Sequence, residues 1–272
     1  MKYTIAHFRK EFPTDDICLE YIFAAKYPDA KQYYRVTGRK CWAHSMTGHQ
    51  IHPLSGTIFE NSSTPLTVWF EAIFLFSISK NGVSAKELQR HFGVTYKTAW
   101  RMGQQIRKLM EQDGSMLSGI VEIDETFYGK MGKNATKFKN KSAILGMVEP
   151  KGQIRARQLP NRRVETILPV IQDTVARGTK VITDEYYGYH RLHGRIFGYT
   201  HKSVKHGAGH YSWKGADTNA IEGFWGQLKR SVRGTYHYVS QKHLQAYVDE
   251  FAFRYNQRLL PASCFSAMMA RI

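Results

Sequence analysis

Two apolar runs, each ending in an acid, constrain this chain more than any other feature. G-I-V-E-I-D-E-T-F (119–127) reads as a buried strand closing on Asp124, and T-K-V-I-T-D-E-Y (179–186) as a second strand closing on Asp184. The two aspartates lie 60 positions apart, room for two further strands and a crossover helix. A third acid, Glu222, sits 38 positions after Asp184 in T-N-A-I-E-G-F-W-G-Q-L-K-R (218–230), which reads as an amphipathic helix. Mg²⁺ takes only one or two carboxylates per ion. Three acids on rigid elements can therefore hold two ions about 3.5–4 Å apart, the arrangement that phosphodiester displacement uses. Glu125 and Glu185 each follow an aspartate. Successive strand side chains point to opposite faces, so both are expected to be structural or supporting rather than ligands.

The surrounding pattern predicts an α/β (α+β) catalytic region. Strand-like runs at 119–127, 142–149 and 152–159 are followed by a helix at 162–177, with Pro169 as a kink or break. Then come a strand at 179–183, a short helix near 186–193, a strand near 197–204, and helices at 217–232 and 240–256. This order makes a mixed sheet with helices on its faces. Upstream, a helix starts near Thr14-Asp15-Asp16, short strands fall at Tyr33–Val36 and Gln50–His52, and an apolar helix spans 64–79. In V-S-A-K-E-L-Q-R-H-F-G-V-T-Y-K-T-A-W-R-M (83–102), Ser84 and Glu87 form a capping box, Gly93 breaks the helix and Thr95 caps the next. Two helices around a glycine turn predict a helix-turn-helix, although an ordinary helical hairpin has the same pattern. On the DNA-binding reading, the second helix offers Thr95, Tyr96, Lys97, Thr98 and Arg101 to the major groove.

Charge narrows the partner. Lys and Arg number 39 against 22 Asp and Glu, a net +17, and the simplest explanation is a polyanion such as nucleic acid. No apolar run approaches the ~20 residues of a membrane span, and the opening residues lack the apolar region of a signal peptide. Three widely spaced cysteines suggest no disulfide framework. A cytoplasmic, nucleoid-associated protein without membrane contact is expected.

Six segments in order carry a family resemblance: H-P-L-S-G-T-I-F-E (52–60), G-V-T-Y-K-T-A-W-R-M (93–102), V-E-I-D-E-T (121–126), T-D-E-Y-Y-G-Y (183–189), T-N-A-I-E-G-F-W-G-Q-L-K-R (218–230) and H-L-Q-A-Y-V-D-E-F-A-F-R-Y-N (243–256). The chain resembles the DDE-type transposases of bacterial insertion sequences, in the group related to the Merlin transposases. That resemblance implies an RNase H-like catalytic domain and two Mg²⁺ (or Mn²⁺) ions. It implies binding to double-stranded DNA at terminal inverted repeats, cut-and-join chemistry, and a homo-oligomer in the synaptic complex. It places the catalytic and metal-binding acids at Asp124, Asp184 and Glu222. Asn219 shares a helix face with Glu222 and stays open as an alternative third ligand. Lys229, seven residues beyond Glu222 on that face, reads as a phosphate clamp or as a solvated lysine, and Arg230 is a further DNA contact.

The family's N-terminal zinc ribbon is degraded here. Its first C-x-x-C pair is absent and the second falls on His44 and Thr47, leaving Cys41, His44, His49 and His52. These do not match a standard finger, so a ribbon-like unit without Zn²⁺ is expected. His201, His206, His210 and Tyr211 are read as belonging to a glycine-rich loop that touches DNA or is simply a surface loop. Asp217 stands where the family tends to have histidine and receives no role. The expected organisation is an N-terminal helix plus degenerate ribbon (1–62), a helical DNA-binding region (63–112), the catalytic domain (115–260) and a C-terminal tail (261–272). Two alternatives remain at this level: a DNA-binding protein that has lost cleavage, and a nuclease or resolvase on the same fold.

Overall fold

The computed structural model describes residues 3–129, 141–193, 197–204, 218–258, 260 and 263–272. In chain order the helices and strands are α1 (Ile5–Glu11), α2 (Asp15–Lys26), β1 (Tyr33–Arg35), β2 (Trp42–His44), β3 (Gln50–Ile51), α3 (Leu66–Ile78), α4 (Ala85–Phe92) and α5 (Tyr96–Lys108). They continue with β4 (Ile120–Tyr128), β5 (Ser142–Val148), β6 (Ile154–Leu159), α6 (Val164–Thr174), β7 (Lys180–Thr183), β8 (Thr200–Ser203), α7 (Asn219–Ser231), α8 (Leu244–Gln257) and α9 (Cys264–Met269). A 3₁₀ turn, Tyr187–His193, lies between β7 and β8. The chain forms two compact units, Met1–Leu109 with Ala262–Ile272, and Met110–Pro261.

The first unit is built on aromatic packing. Trp69, Phe70 and Phe74 of α3 are fully or almost fully buried, and Phe8, Phe12 and Phe265 gather on Phe70 and Phe74 with ring centroids 5–6 Å apart. Residues 261–272, expected as a tail, therefore supply α9 to this core: Phe265 is 6% exposed. The short apolar run around it has somewhere to be buried, which outweighs its position at the chain's end. The same core joins 1–62 to 63–112, because α1 and α2 both pack on α3. The capping box is formed as the sequence predicts, with Ser84 Oγ accepting from the Glu87 amide and Glu87 accepting from the Ser84 amide. Gly93 then takes the left-handed conformation (φ 65°) that ends α4, and Thr95 caps α5.

The ribbon region is a three-stranded antiparallel sheet, β1-β2-β3. Its candidate ligands make other bonds: His44 Nε2 to Gln32 (2.7 Å), His49 Nδ1 to the Tyr33 hydroxyl (3.2 Å), and buried Cys41 near Gln50. Trp42 stacks flat on Phe23, with centroids 4.2 Å apart.

The second unit is a five-stranded sheet in the order β6-β5-β4-β7-β8. The pairs β4/β5 and β5/β6 are antiparallel, whereas β4/β7 and β7/β8 are parallel. Counted within the unit this is 3-2-1-4-5, the RNase H-like arrangement, with its first and fourth strands adjacent. One face carries Val121, Ile123, Leu145, Met147 and Val181 against Ile167 and Ile171 of α6 and Tyr189. The other carries Ile144, Val148 and Ile154 against Ile221, Phe224, Trp225, Val248 and Phe251 of α7 and α8. Both faces are covered, so β5 is buried at every position. Helix α6 runs on through Pro169 rather than breaking there. His201 is not in a loop. It lies in β8, is 9% exposed, and its Nε2 is 2.9 Å from Thr183 Oγ1. His206, His210, Tyr211 and Asp217 lie outside the described residues.

Candidate carboxylate site

Register brings the two aspartates together. The parallel pairing of β4 with β7 ends at Ile123↔Thr183, so Asp124 and Asp184 take the next position on each strand. Asp184 is steadied by the turn it opens, its Oδ1 accepting the Tyr186 amide at 3.0 Å. Asp124 Oδ2 accepts the indole N–H of Trp225 on α7 at 3.0 Å.

That indole needs space, and the space comes from the strand next door. Gly146 of β5 pairs with Asp124, and a Cβ there would lie 2.5 Å from the Trp225 ring and 2.6 Å from Ile221. The start of α7 is fixed in turn by Glu122, which is 1% exposed and accepts the amides of Ala220 and Ile221 at 3.0 and 3.1 Å. A carboxylate at a helix N-terminus satisfies orphan amides and complements the dipole.

Glu125 departs from expectation. Strand alternation does send it to the opposite face from Asp124, where its Oε1 takes the Arg162 guanidinium at 2.8 Å and its Oε2 the Tyr189 hydroxyl at 2.5 Å. Yet a carboxylate oxygen from each of Asp124, Glu125 and Asp184 falls within 4.8 Å of the others. Both residues lie within β4, beside the point where β7 ends, so side chains from either face of β4 reach the opening that Asp184 borders. Glu185 is exposed and stands outside this group.

Glu222 does not join the cluster. It is exposed on the first turn of α7 and accepts from the Thr218 hydroxyl at 3.2 Å. Asn219 is likewise exposed at the helix start. Asp124 and Asp184, expected as ligands, thus lie together with Glu125 beside them, while Glu222 stands outside that group. Helix periodicity fixed Glu222's face but not its reach: the helix packs through Ile221, Phe224, Trp225 and Leu228, leaving Glu222 outward. Lys229, two turns further along, is close enough for Asp124 to favour its charged form, against the burial and the neighbouring Arg233 and Lys141 that lower its pKa. Arg230 is exposed.

Electrostatics mark the cluster as short of positive charge. Burial, followed by the charges of Glu125 and Asp184, pushes the Asp124 carboxyl up to about 6. Burial also raises Glu125, against the opposing pull of Tyr189 and Arg162. Like charges this close disfavour joint ionisation unless a cation intervenes. An all-oxygen donor set of this kind suits a hard divalent cation. Among the described residues this is the one group of three His, Cys, Asp or Glu side chains with donors so close. Cys41, His44, His49 and His52 do not form such a group.

Sheet order, and two acids set side by side where the pairing of its adjacent central strands ends, define an RNase H-like domain with a candidate cation site. Residues 116–256 match the family model of the ISXO2-like transposase domain, and the chain belongs to that transposase family. Among curated relatives, it is 26% identical over 219 residues to an uncharacterized protein in transposable element ISH50 of Halobacterium salinarum, covering 74% of this chain and 73% of the relative. It is also 26% identical over 98 residues to an uncharacterized transposase-like protein of Haemophilus influenzae, covering 36% of this chain and 76% of the relative. A chain of a simian T-cell lymphotropic virus intasome, solved in complex with PP2A regulatory subunit B56 gamma, aligns over 66% of each chain at 15% identity. Its TM-score is 0.32, too slight a likeness to build on.

Proposed function

We propose that the protein is an insertion-sequence transposase that binds the terminal inverted repeats of its element, cleaves DNA strands and joins the freed ends to a target. The observation that carries this reading is the pairing of Asp124 with Asp184 at one end of a transposase-family sheet, with Asp124 poorly neutralised.

Asp124 and Asp184 would hold Mg²⁺ or Mn²⁺ through their carboxylate oxygens, with Glu222 the proposed third acid and Asn219 its alternative. When bound, two such ions supply Lewis-acid activation of the attacking oxygen and charge stabilisation of the leaving one. The protein's own part is positioning. Trp225 orients Asp124, the Tyr186 amide orients Asp184, and Arg162 holds Glu125 beside them. Lys229, whose charged form Asp124 favours, would neutralise a phosphate there.

End recognition is assigned to α4 and α5 as a helix-turn-helix. Thr95, Tyr96 and Lys97 are exposed at the start of α5, whereas Thr98 is half-buried. Arg101 is partly engaged, its guanidinium donating to the Glu60 carbonyl at 2.9 Å. Lys97 and Tyr96 are therefore the stronger candidates for base or phosphate contact. Joining two element ends in one event requires at least two copies during the reaction. Among the described residues no helix is long and apolar enough to cross a membrane.

Oligonucleotides carrying the element's ends, incubated with the protein and Mg²⁺ or Mn²⁺, test the proposal by cleavage and strand transfer. Asp124→Asn and Asp184→Asn should each abolish both reactions while leaving end binding intact. Joining at the wild-type rate by either variant would remove that residue from the mechanism. Glu222→Gln against Glu125→Gln decides the third acid: the first should abolish joining in a fully folded protein, the second should chiefly lower Tm.

A further inference from the structure

A groove of about 810 Å³ opens beside the carboxylates, lined by Arg162, Arg163, Tyr186, Tyr187, His190 and Arg191, with Glu165 the one acid on its wall. It begins one side chain from the cluster. Arg162 bonds Glu125 and lies 3.6 Å above the Tyr186 ring, and the Tyr186 amide bonds Asp184. Tyr186 is locked by donating its hydroxyl to the Arg162 carbonyl at 2.8 Å, and its ring meets Tyr187 edge-on. Tyr187 itself is 69% exposed, an aromatic face offered to solvent at a groove rich in guanidinium.

The folded core makes no use of that exposure, since the neighbouring Tyr189 is the ring that packs inward. A basic track with an accessible ring is how proteins hold single-stranded nucleic acid: the cations follow the phosphates and the ring stacks on a base of any identity. A paired base has both faces covered by its own stack, so a protein ring gains full contact only with an unpaired one.

We propose that this groove holds an unpaired nucleotide of the DNA strand next to the phosphate being cut, with its base stacked on Tyr187 and its phosphates on Arg163 and Arg191. This rests on the transposase reading for the nature of the substrate. It adds that the substrate is frayed or single-stranded beside the scissile position.

The test uses the full chain in EDTA, so that binding is read without cleavage. Two probes are compared: a blunt DNA duplex, and the same duplex with a short single-stranded thymidine extension carrying one 2-aminopurine. The wild-type protein should prefer the extended duplex and quench the 2-aminopurine. Tyr187→Ala should lose about five- to a hundredfold in affinity for the extension only, and Tyr187→Phe should retain both affinity and quenching. Arg163→Ala and Arg191→Ala should weaken binding to the extended duplex, each lowering the salt slope by about one. An exposed tyrosine is not needed for folding, and an unchanged melting temperature would verify that for each variant. No preference in the wild type, or a preference that survives Tyr187→Ala, overturns the proposal. If preference and quenching depend on Tyr187 but no end is cleaved with Mg²⁺ or Mn²⁺, the groove assignment stands and the transposase reading falls.

Discussion

Asp124 is where fold stability and activity pull apart. Its carboxyl titrates near 6 in the folded chain, above the ordinary 3.8, so the folded state binds its proton more tightly than the unfolded state does. Between about pH 4 and 6 the metal-free protein should therefore lose stability as pH rises, and above 6 the full cost of the buried charge is present. Asp124→Asn removes that charge and keeps an oxygen for Trp225. It should raise the stability of the metal-free protein at pH 7.5 by about 1–2 kcal/mol, measurable as a higher Tm. The stabilisation that Mg²⁺ or Mn²⁺ gives the wild type should vanish in the same variant, and in the wild type it should fade as pH drops through 6. Gly146 is the other single residue on which the site turns. Gly146→Ala drives a methyl into Trp225 and Ile221, rings and branches with nowhere to retreat, and should cost about 1–3 kcal/mol. A urea melt checks the stability; loss of the Trp225–Asp124 contact should also lower cleavage.

Among the elements, α7 carries the most consequence, because it sets Trp225 and Lys229 against the sheet. Glu122 anchors its first turn from inside the core. Glu122→Gln leaves one acceptor oxygen and a buried amide group where two helix amides met a carboxylate. The expected loss is about 1–3 kcal/mol, and amide hydrogen exchange at Ala220 and Ile221 should accelerate more than in β4. The strands that meet at the site were legible in the sequence because each is an apolar run with an acid at its end, and parallel register does the rest. Where Glu222 stands relative to those strands was not: helix periodicity gives a face, and only packing says which face turns inward. The closeness of Glu125 to the aspartates was not legible either: alternation gives the face a side chain leaves by, not how near its carboxylate comes to one at the end of a neighbouring strand. Helices α1 and α9 are seven and six residues long, too short for periodicity to declare. The strand expected near 197–204 is present as β8, T-H-K-S, and it sets His201 beside Thr183 rather than in the glycine-rich loop.

At the scale of the whole molecule, the net charge of +17 makes a quantitative demand. If the basic surface meets six to ten phosphates, affinity for DNA of any sequence should fall by roughly 10³–10⁵ between 50 and 200 mM salt. A titration of binding against salt that came out flat would exclude a phosphate-tracking surface of that size. The chain's two units raise a different matter. The polypeptide leaves the first unit at Leu109 and re-enters it at Ala262, where Phe265 sits among Phe8, Phe12 and Phe74. The sheet-bearing portion is thus spliced into its partner like a parenthesis, moored at both ends. Severing the backbone once at the 109–110 junction would yield two polypeptides that still migrate as one species on a native column, parting only when denaturant frees Phe265 from its aromatic seat.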